Sequence, residues 1–431
     1  MKPIDAGTLI RARPSISVPT VDQRRALPVT VLFLASSFAI AVTAGFGLGT
    51  WLLLHATIGV PLPDATWSAL VQVHGHAQLV GFAGLLVMGI GHRILPRFRG
   101  SDDVPAGEIL LSFALVALGL LLRPAQVWAD LPARPELLLA SGAAELAGML
   151  VYARLALGTL ARGTNPHRPD ELFLAAGAMF GVVGAMWTLV ALAPAITGGP
   201  VLDPDADRAA IVALLLGFVA SHVIGVSLRV APAFIAAPPA SPRLVTVAAA
   251  AWVTGVILAT LGGPWGPLVL LGTAAVLVRA IGPFGRSIAV REVPAPARLV
   301  RLAFRGAYAW LIAGIALIAA GSIVDAPLAL STAGRHALAL GFMTQIVFGV
   351  GSRLIPAVTG GRALSSTAVR AAIVLINVAA ILRVPFELVG PSTTVTAIAL
   401  AASGPIALAA LLVFAAAAAR TVRSALRSAI A

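Results

Sequence analysis

The stretch HAQLVGFAGLLVMGIGHRILPRF (76–98) occurs three times in this chain in altered form. The second copy is VALLLGFVASHVIGVSLRVAPAF (212–234), and the third is HALALGFMTQIVFGVGSRLIPAV (336–358). All three match the pattern A-x3-G-F-x6-G-[IV]-x2-R-[ILV]-x-P without a gap. Internal repetition over a long period indicates that one structural unit has been used several times. The repeat therefore predicts three related units arranged around one axis.

The composition excludes an ordinary soluble domain. Of the 431 residues, 59% are hydrophobic and 11% are charged, whereas a soluble domain carries about a quarter charged residues. The chain is therefore predicted to lie in a lipid bilayer. Its basic residues are almost all arginines at the ends of apolar runs, so no nucleic-acid partner is expected. There is no cysteine, which excludes disulfides, thiolate metal sites and covalently attached haem.

Apolar runs that are long enough to cross a bilayer contain about 20 residues. Each copy of the repeat lies on the second, sixth or tenth such run, so one unit comprises four helices. The predicted fold class is an all-α polytopic membrane protein with twelve transmembrane helices in three four-helix arcs, related by pseudo-threefold symmetry. The predicted spans are 29–54, 67–95, 107–123, 136–158, 171–194, 208–232, 243–262, 264–283, 303–323, 329–356, 366–386 and 394–419.

The distribution of basic residues predicts the orientation of the chain. Residues 29–419 are predicted to form a single membrane domain, with 1–28 and 420–431 as its N-terminal and C-terminal cytoplasmic tails. Loops rich in arginine and lysine stay on the cytoplasmic side. With both tails cytoplasmic, only five of the 30 basic residues fall outside, namely Arg123, Arg134, Arg208, Arg335 and Arg383. We therefore predict a multi-pass protein of a bacterial inner (cytoplasmic) membrane.

The Arg-x-x-Pro ends that the three copies share have a structural explanation. Small residues let helices approach closely in lipid. Arg93, Arg229 and Arg353 are expected to extend to the inner surface, and the proline three residues after each is expected to stop the helix. His92, beside Arg93, is expected to be solvated.

The first position of the copies is histidine twice, at His76 and His336, and valine once, at Val212. An ionisable side chain inside a membrane span is costly and indicates function. Each histidine precedes the arginine of its copy by 17 residues, or about 25 Å of helix. Both therefore lie at one level and can face each other across a central cofactor, with room for a flat macrocycle. A hydrogen-bonded histidine pair and a metal site without haem are the alternatives.

Two further histidines are candidate metal ligands. His74 points about 200° away from His76 around the helix. It could bind a second haem or a copper ion, or it could be a water-exposed residue near the outer mouth. His222 lies about 10 Å from the inner end of its helix, too deep to share a metal with His76 and His336. It could serve a second cofactor or a proton path.

The chain resembles the NnrS family, membrane haem proteins linked to nitric oxide stress, and more distantly the subunit I architecture of haem–copper oxidases. The resemblance rests on three short stretches: His74-Gly75-His76 with Gly81-Phe82, then Arg229-Val230-Ala231-Pro232-Ala233-Phe234, and then Arg335-His336-Ala337-Leu338. Members of the family usually carry an acidic residue after the second histidine, and here it is Ala77.

The resemblance implies specific roles for these residues. Helices two and ten of the oxidase architecture supply the axial ligands of a low-spin haem b, which would be His76 and His336 here. An oxidase-type copper site also needs two histidines on helix seven, and 243–263 contains none. The family implies nitric oxide as a small diatomic ligand, or electron transfer from a donor that the sequence does not identify.

Two other features bear on function. Arg335 and Arg383 are candidate partners of haem propionates, because arginine pairs with carboxylates in a bidentate manner. A haem–copper-type oxidoreductase with a degenerate copper site is one alternative, and whether the chain is an enzyme stays open. A twelve-helix transporter is another. Transporters place ionisable groups near the midplane, however, and Glu145 is the only clear intramembrane carboxylate predicted.

Overall fold

A computed structural model describes residues 21–62, 67–128, 130–197, 199, 202–285, 295–324 and 327–430. Over these residues the chain is helical and contains no β-strand. Its helices are α1 Leu27–Ile58, α2 Trp67–Arg99, α3 Ala106–Val127, α4 Arg134–Arg162, α5 Asp170–Ile196, α6 Pro204–Ile235, α7 Pro242–Leu261, α8 Trp265–Ile281, α9 Ala297–Gly321, α10 Leu328–Thr359, α11 Ser366–Val389 and α12 Thr394–Ser428. Each predicted span coincides with one helix.

Eleven of the helices in the described part of the chain are long and apolar enough to cross a membrane, which confirms the prediction of an all-α multi-pass membrane protein. The exception is α8, which has 17 residues and a length of about 26 Å, slightly less than a hydrocarbon core of about 30 Å. It follows α7 through Gly262 and Gly263, whose φ angles of 97° and 87° suit glycine. The count of twelve spans stays a prediction.

Contacts between the helices reproduce the threefold repeat. In the first unit α3 touches both α1 and α4, and the second and third units have the equivalent contacts. Neighbouring units meet through α4 with α5, α8 with α9, and α12 with α1, so that nine helices form a closed ring. The three repeat helices lie inside it. In their most apolar windows α2, α6 and α10 are 89%, 78% and 67% buried, against 33–44% for the other spans.

The backbone of the three copies is also equivalent. A π-helical segment begins one residue after the start of each copy, at Ala77–Gly84, Ala213–Ala220 and Ala337–Thr344. The residue after each repeat helix adopts a left-handed conformation, with φ of 62° at Gly100, 51° at Ala236 and 73° at Gly360. π-helical turns are rare and often lie near functional sites. Their occurrence at the same register in three places confirms that the copies are one structural unit.

The small residues of the repeat provide space for aromatic rings of neighbouring helices. A Cβ atom on Gly217 would lie 2.6 Å from Cβ of Phe180. A Cβ atom on Gly341 would overlap the Trp310 side chain, and one on Gly89 would overlap Phe33. These glycines are therefore used for close helix packing, as predicted.

The inner end, which we define as the end of α2, α6 and α10 that carries the arginine–proline pairs, differs from the prediction. The helices continue for three residues past Pro96, Pro232 and Pro356. The left-handed residue ends each helix instead, because a proline near a helix terminus disturbs few hydrogen bonds and its φ is helical.

The three repeat arginines were predicted to extend to the inner surface. Arg353 is exposed, as predicted, whereas the prediction is wrong for Arg93 and Arg229. The Arg229 guanidinium donates to the Phe98 carbonyl over 2.8 Å and lies 3.4 Å from an Asp170 oxygen. It also lies 4.9 Å from the centroid of the Phe98 ring. The bond to Phe98 joins the first unit to the second, and together these contacts give the largely buried cation the partners that it needs.

The expected solvation of His92 is also wrong. Its side chain is buried, and its ring packs edge-on against those of Phe33 and Tyr152.

Candidate functional site: histidines inside the helix ring

His76 is bonded to a carboxylate on another helix of its unit. Its Nε2 atom lies 2.6 Å from Oε1 of Glu145, which is on α4, and both side chains are buried. A buried charge or polar group is tolerated only when it has such a partner. The carboxylate therefore fixes the orientation of the His76 ring towards α4.

Further charged groups extend this pair across all three units. Asp207 on α6 interacts electrostatically with His76, Arg123 and Arg335. The buried Arg123 guanidinium donates from Nε to the Gln126 side chain over 3.0 Å. We call His76, Arg123, Glu145, Asp207 and Arg335 the outer charge layer. It contains three cationic or titratable basic groups and two carboxylates, so the charges largely compensate one another inside the membrane domain.

His336 has polar partners on both ring nitrogens. Its Nδ1–H donates to the Thr332 carbonyl over 3.0 Å, and the same atom lies 2.9 Å from Oε2 of Glu387. On the opposite edge, Nε2 lies 3.3 Å from the Arg383 guanidinium. Arg383 and Glu387 are themselves 3.2 Å apart on α11. The α11 ion pair therefore holds the His336 ring from both sides.

His74 belongs to the same region as His336. Its Nδ1–H donates to the Gly45 carbonyl of α1 over 2.9 Å. The ring occupies space that is open only because Gly49 has no side chain. His74 interacts electrostatically with His336 and with Arg383. The opposite directions predicted for His74 and His76 are thus present, with His74 turned towards α1 and the α10–α11 pair and His76 turned towards α4.

His222 lies closer to the inner end, as predicted. Its Nδ1–H donates to the Phe218 carbonyl over 2.8 Å, so its Nε2 accepts from the Tyr152 hydroxyl over 2.9 Å. Gly177 of α5 provides room for the ring, because a Cβ there would overlap it. Both nitrogens of His222 are therefore used in hydrogen bonds to the protein.

The hydrogen bonds bear on which residues could hold a cofactor. A histidine that ligates a metal usually donates its other ring N–H to a carbonyl or a carboxylate. His74 and His336 do so through Nδ1, and His76 can do so through Nε2 to the Glu145 carboxylate. His74 and His336 would therefore ligate through Nε2, which in His336 is also contacted by Arg383 at 3.3 Å. No three histidine, aspartate or glutamate side chains in the described ranges come together as a metal site. These histidines could therefore hold a haem iron through their imidazoles, whereas the described side chains offer no three-ligand metal site.

Several residues of these sites were not found from the sequence. Glu387 falls one residue beyond the predicted span 366–386, although its i,i+4 spacing from Arg383 is a recognisable ion-pair signal. Glu145 is not the only buried carboxylate, since Asp170 and Glu171 at the start of α5 are also buried. Tyr152 carries no sequence signal that connects it with His222, because the two lie 70 positions apart.

These observations define an all-helical, multi-pass membrane protein with polar histidine sites inside a threefold helix ring. The family model described as NnrS protein matches residues 27–425 of the chain. The chain therefore belongs to the NnrS family. A search of curated proteins gave no match.

Proposed function

We propose that this protein binds haem b inside the membrane domain. The observation that supports this most directly is the pair of imidazoles on α2 and α10, His74 and His336. Each is held through Nδ1 by a backbone carbonyl, at 2.9 and 3.0 Å. This arrangement fixes the tautomer that presents Nε2, which is the usual state of a metal-ligating histidine.

His336 is the ligand common to both candidate pairs. The sequence predicts His76 as its partner, whereas the contacts favour His74. His74 interacts electrostatically with His336 and Arg383, while the His76 ring is turned towards Glu145 on α4. Haem held there would supply an iron centre for electron transfer or for a diatomic ligand, tuned by its axial ligands and apolar surroundings.

Arg383 and Arg335 are the proposed propionate partners. Arg383 contacts Nε2 of His336 and pairs with Glu387; with haem bound, its guanidinium would turn from Nε2 to a propionate and keep the Glu387 pair. Arg335 lines an open cavity of about 1140 Å³ between the second and third units.

The biological role follows from the family. We propose nitric oxide binding or response, or electron transfer, in the cytoplasmic membrane of a bacterium with both chain termini inside. The basic residues at the inner end support this orientation. Copper is retained as a proposal with less support, because the described side chains offer no three-ligand site.

The test is a reduced-minus-oxidised optical spectrum of the purified protein, with iron and copper contents measured on the same sample. His336→Ala, His74→Ala and His76→Ala are compared with His167→Ala, whose side chain is 72% exposed. We expect haem b bands in the wild type and in His167→Ala, and their loss or conversion to high spin in His336→Ala and His74→Ala. Nitric oxide is then added to look for an open axial position.

Other outcomes separate the alternatives. Loss in His76→Ala with retention in His74→Ala would identify the pair predicted from the sequence. A folded wild-type protein without haem would contradict the proposal and favour the transporter alternative.

A further inference from the structure

A second, smaller cavity of about 80 Å³ lies between α2, α6 and α10, well inside the ring of outer helices. Its lining repeats with the sequence. The same four positions of each copy contribute to the wall, namely Leu86, His222 and Ile346, then Val87, Val223 and Val347, then Ile90, Val226 and Val350, and then Gly91, Ser227 and Gly351.

This equivalence locates the cavity on the pseudo-threefold axis. Residues at the same position of three symmetric units can surround one space only at the axis that relates the units. The four positions have the spacing i, i+1, i+4 and i+5, which is one face of a helix. The cavity is therefore a product of the repeat itself, enlarged where glycine or serine occupies the last of the four positions.

The wall of the cavity is almost wholly apolar. Val87, Val223 and Val347 form a ring with one valine from each copy, and all three keep part of their surface accessible although they lie on the most buried helices. His222 offers no free nitrogen to the cavity, since both of its nitrogens are bonded to Phe218 and Tyr152. Ser227 supplies a single hydroxyl.

Such a space suits a gas better than water. A buried water needs two to four polar partners, and empty apolar cavities in proteins stay dry and take up xenon or small apolar molecules. A volume of about 80 Å³ exceeds the roughly 10–15 Å³ of such space that one water molecule needs. The wall nevertheless offers few polar partners for a water molecule.

We propose that this axial cavity is a binding site for one small, uncharged, apolar gas molecule, of the size of a diatomic gas or a xenon atom. It is separate from the proposed haem site at His74, His76 and His336, because its four wall positions begin ten residues beyond His76 and His336, or about 15 Å along the helices. The proposal goes beyond haem binding and does not depend on it.

The experiment uses xenon as the probe and measures saturable binding to the purified full-length protein by ¹²⁹Xe NMR in one fixed detergent. Val347→Phe and Val223→Phe each place a phenyl ring in the cavity. Val374→Phe is the matched control, because Val374 on α11 is 51% exposed. His336→Ala tests independence from the haem proposal. Circular dichroism confirms that each variant is folded.

We expect a saturable xenon component in the wild type, in Val374→Phe and in His336→Ala, and its loss in Val347→Phe and Val223→Phe. Two different filling variants keep the test valid if one of them does not fold. The absence of a saturable component in the wild type, or equal binding in the wild type and a folded filling variant, would overturn the proposal. A loss in His336→Ala alone would assign the xenon signal to the histidine region and would also overturn it.

Discussion

The hydroxyl of Tyr152 donates a hydrogen bond to Nε2 of His222 over 2.9 Å, and this bond joins the first unit to the second. Tyr152 lies on α4 and His222 on α6. Because Nδ1 of His222 is already bonded to Phe218, the tyrosine hydroxyl is the partner that the buried imidazole needs to have both nitrogens satisfied.

The first prediction tests this bond. Tyr152→Phe should lower the free energy of unfolding by about 1–3 kcal/mol, because it leaves a buried ring nitrogen without a partner. Thermal or denaturant unfolding in lipid nanodiscs measures the change. Adding His222→Leu to Tyr152→Phe should cost less than the sum of the single changes, since the unpaired nitrogen is removed as well. Additive effects would mean that the two side chains are not coupled.

Glu145 is expected to be essential for the stability of the outer charge layer. Glu145→Leu removes one partner of a buried pair and should cost about 3–5 kcal/mol. Glu145→Gln should cost less, because the amide still offers an oxygen to His76. Glu136→Leu, at an exposed position of the same helix, is the control and should change stability by less than about 0.5 kcal/mol. Equal melting shifts for Glu145→Leu and Glu136→Leu would contradict the burial of this pair.

The close packing at the repeat glycines gives a third prediction. Gly217→Ala should destabilise the protein by about 1–3 kcal/mol, because the added methyl group meets the Phe180 side chain. Gly272→Ala on α8 has open space around the added carbon and should be neutral or slightly stabilising. The melting temperatures of both variants, measured in the same nanodiscs, test the contrast. A stable Gly217→Ala variant would show that α5 and α6 are not as close as described.

Arginines at one repeat position are predicted to differ in importance. Arg229→Gln removes a charged donor from the Phe98 carbonyl and from Asp170 and should cost about 1.5–3 kcal/mol. Arg353→Gln alters the equivalent exposed arginine of the third copy and should change stability by less than about 0.5 kcal/mol. Denaturant unfolding of the two variants gives the comparison. Similar losses would mean that Arg229 acts as a surface residue.

The last prediction concerns the helix caps. Ala236 is the one non-glycine residue with positive φ in the described ranges, at a position where the other copies have Gly100 and Gly360. A left-handed conformation costs a residue with a side chain roughly 1–2 kcal/mol relative to glycine. Ala236→Gly should therefore raise the melting temperature, whereas Gly360→Ala should lower it. Unchanged melting temperatures in both would contradict the assigned conformation.

The repeat and the hydropathy of the chain were sufficient to predict the helices and their grouping. Hydropathy depends on local sequence, since a span must be apolar over its whole length, and the repeat can be found by comparing the three stretches of sequence directly. The partners of the histidines were harder to predict, because they depend on which helix faces which. Glu145 pairs with His76 across 69 positions, and Arg229 reaches Phe98 across 131. The carbonyl groups of Gly45 and Thr332, which fix the tautomers of His74 and His336, belong to the backbone. No residue type in the sequence identifies them.

The closed ring of nine helices has the form of a cyclic homotrimer built from one chain. The last helix of each four-helix unit meets the first helix of the next, so every junction is a heterologous contact, and the rotation closes after three steps. In a true homotrimer a substitution would alter all three subunits at once. Covalent fusion removes that constraint, which is why one register can hold His76 in the first copy, Val212 in the second and His336 in the third.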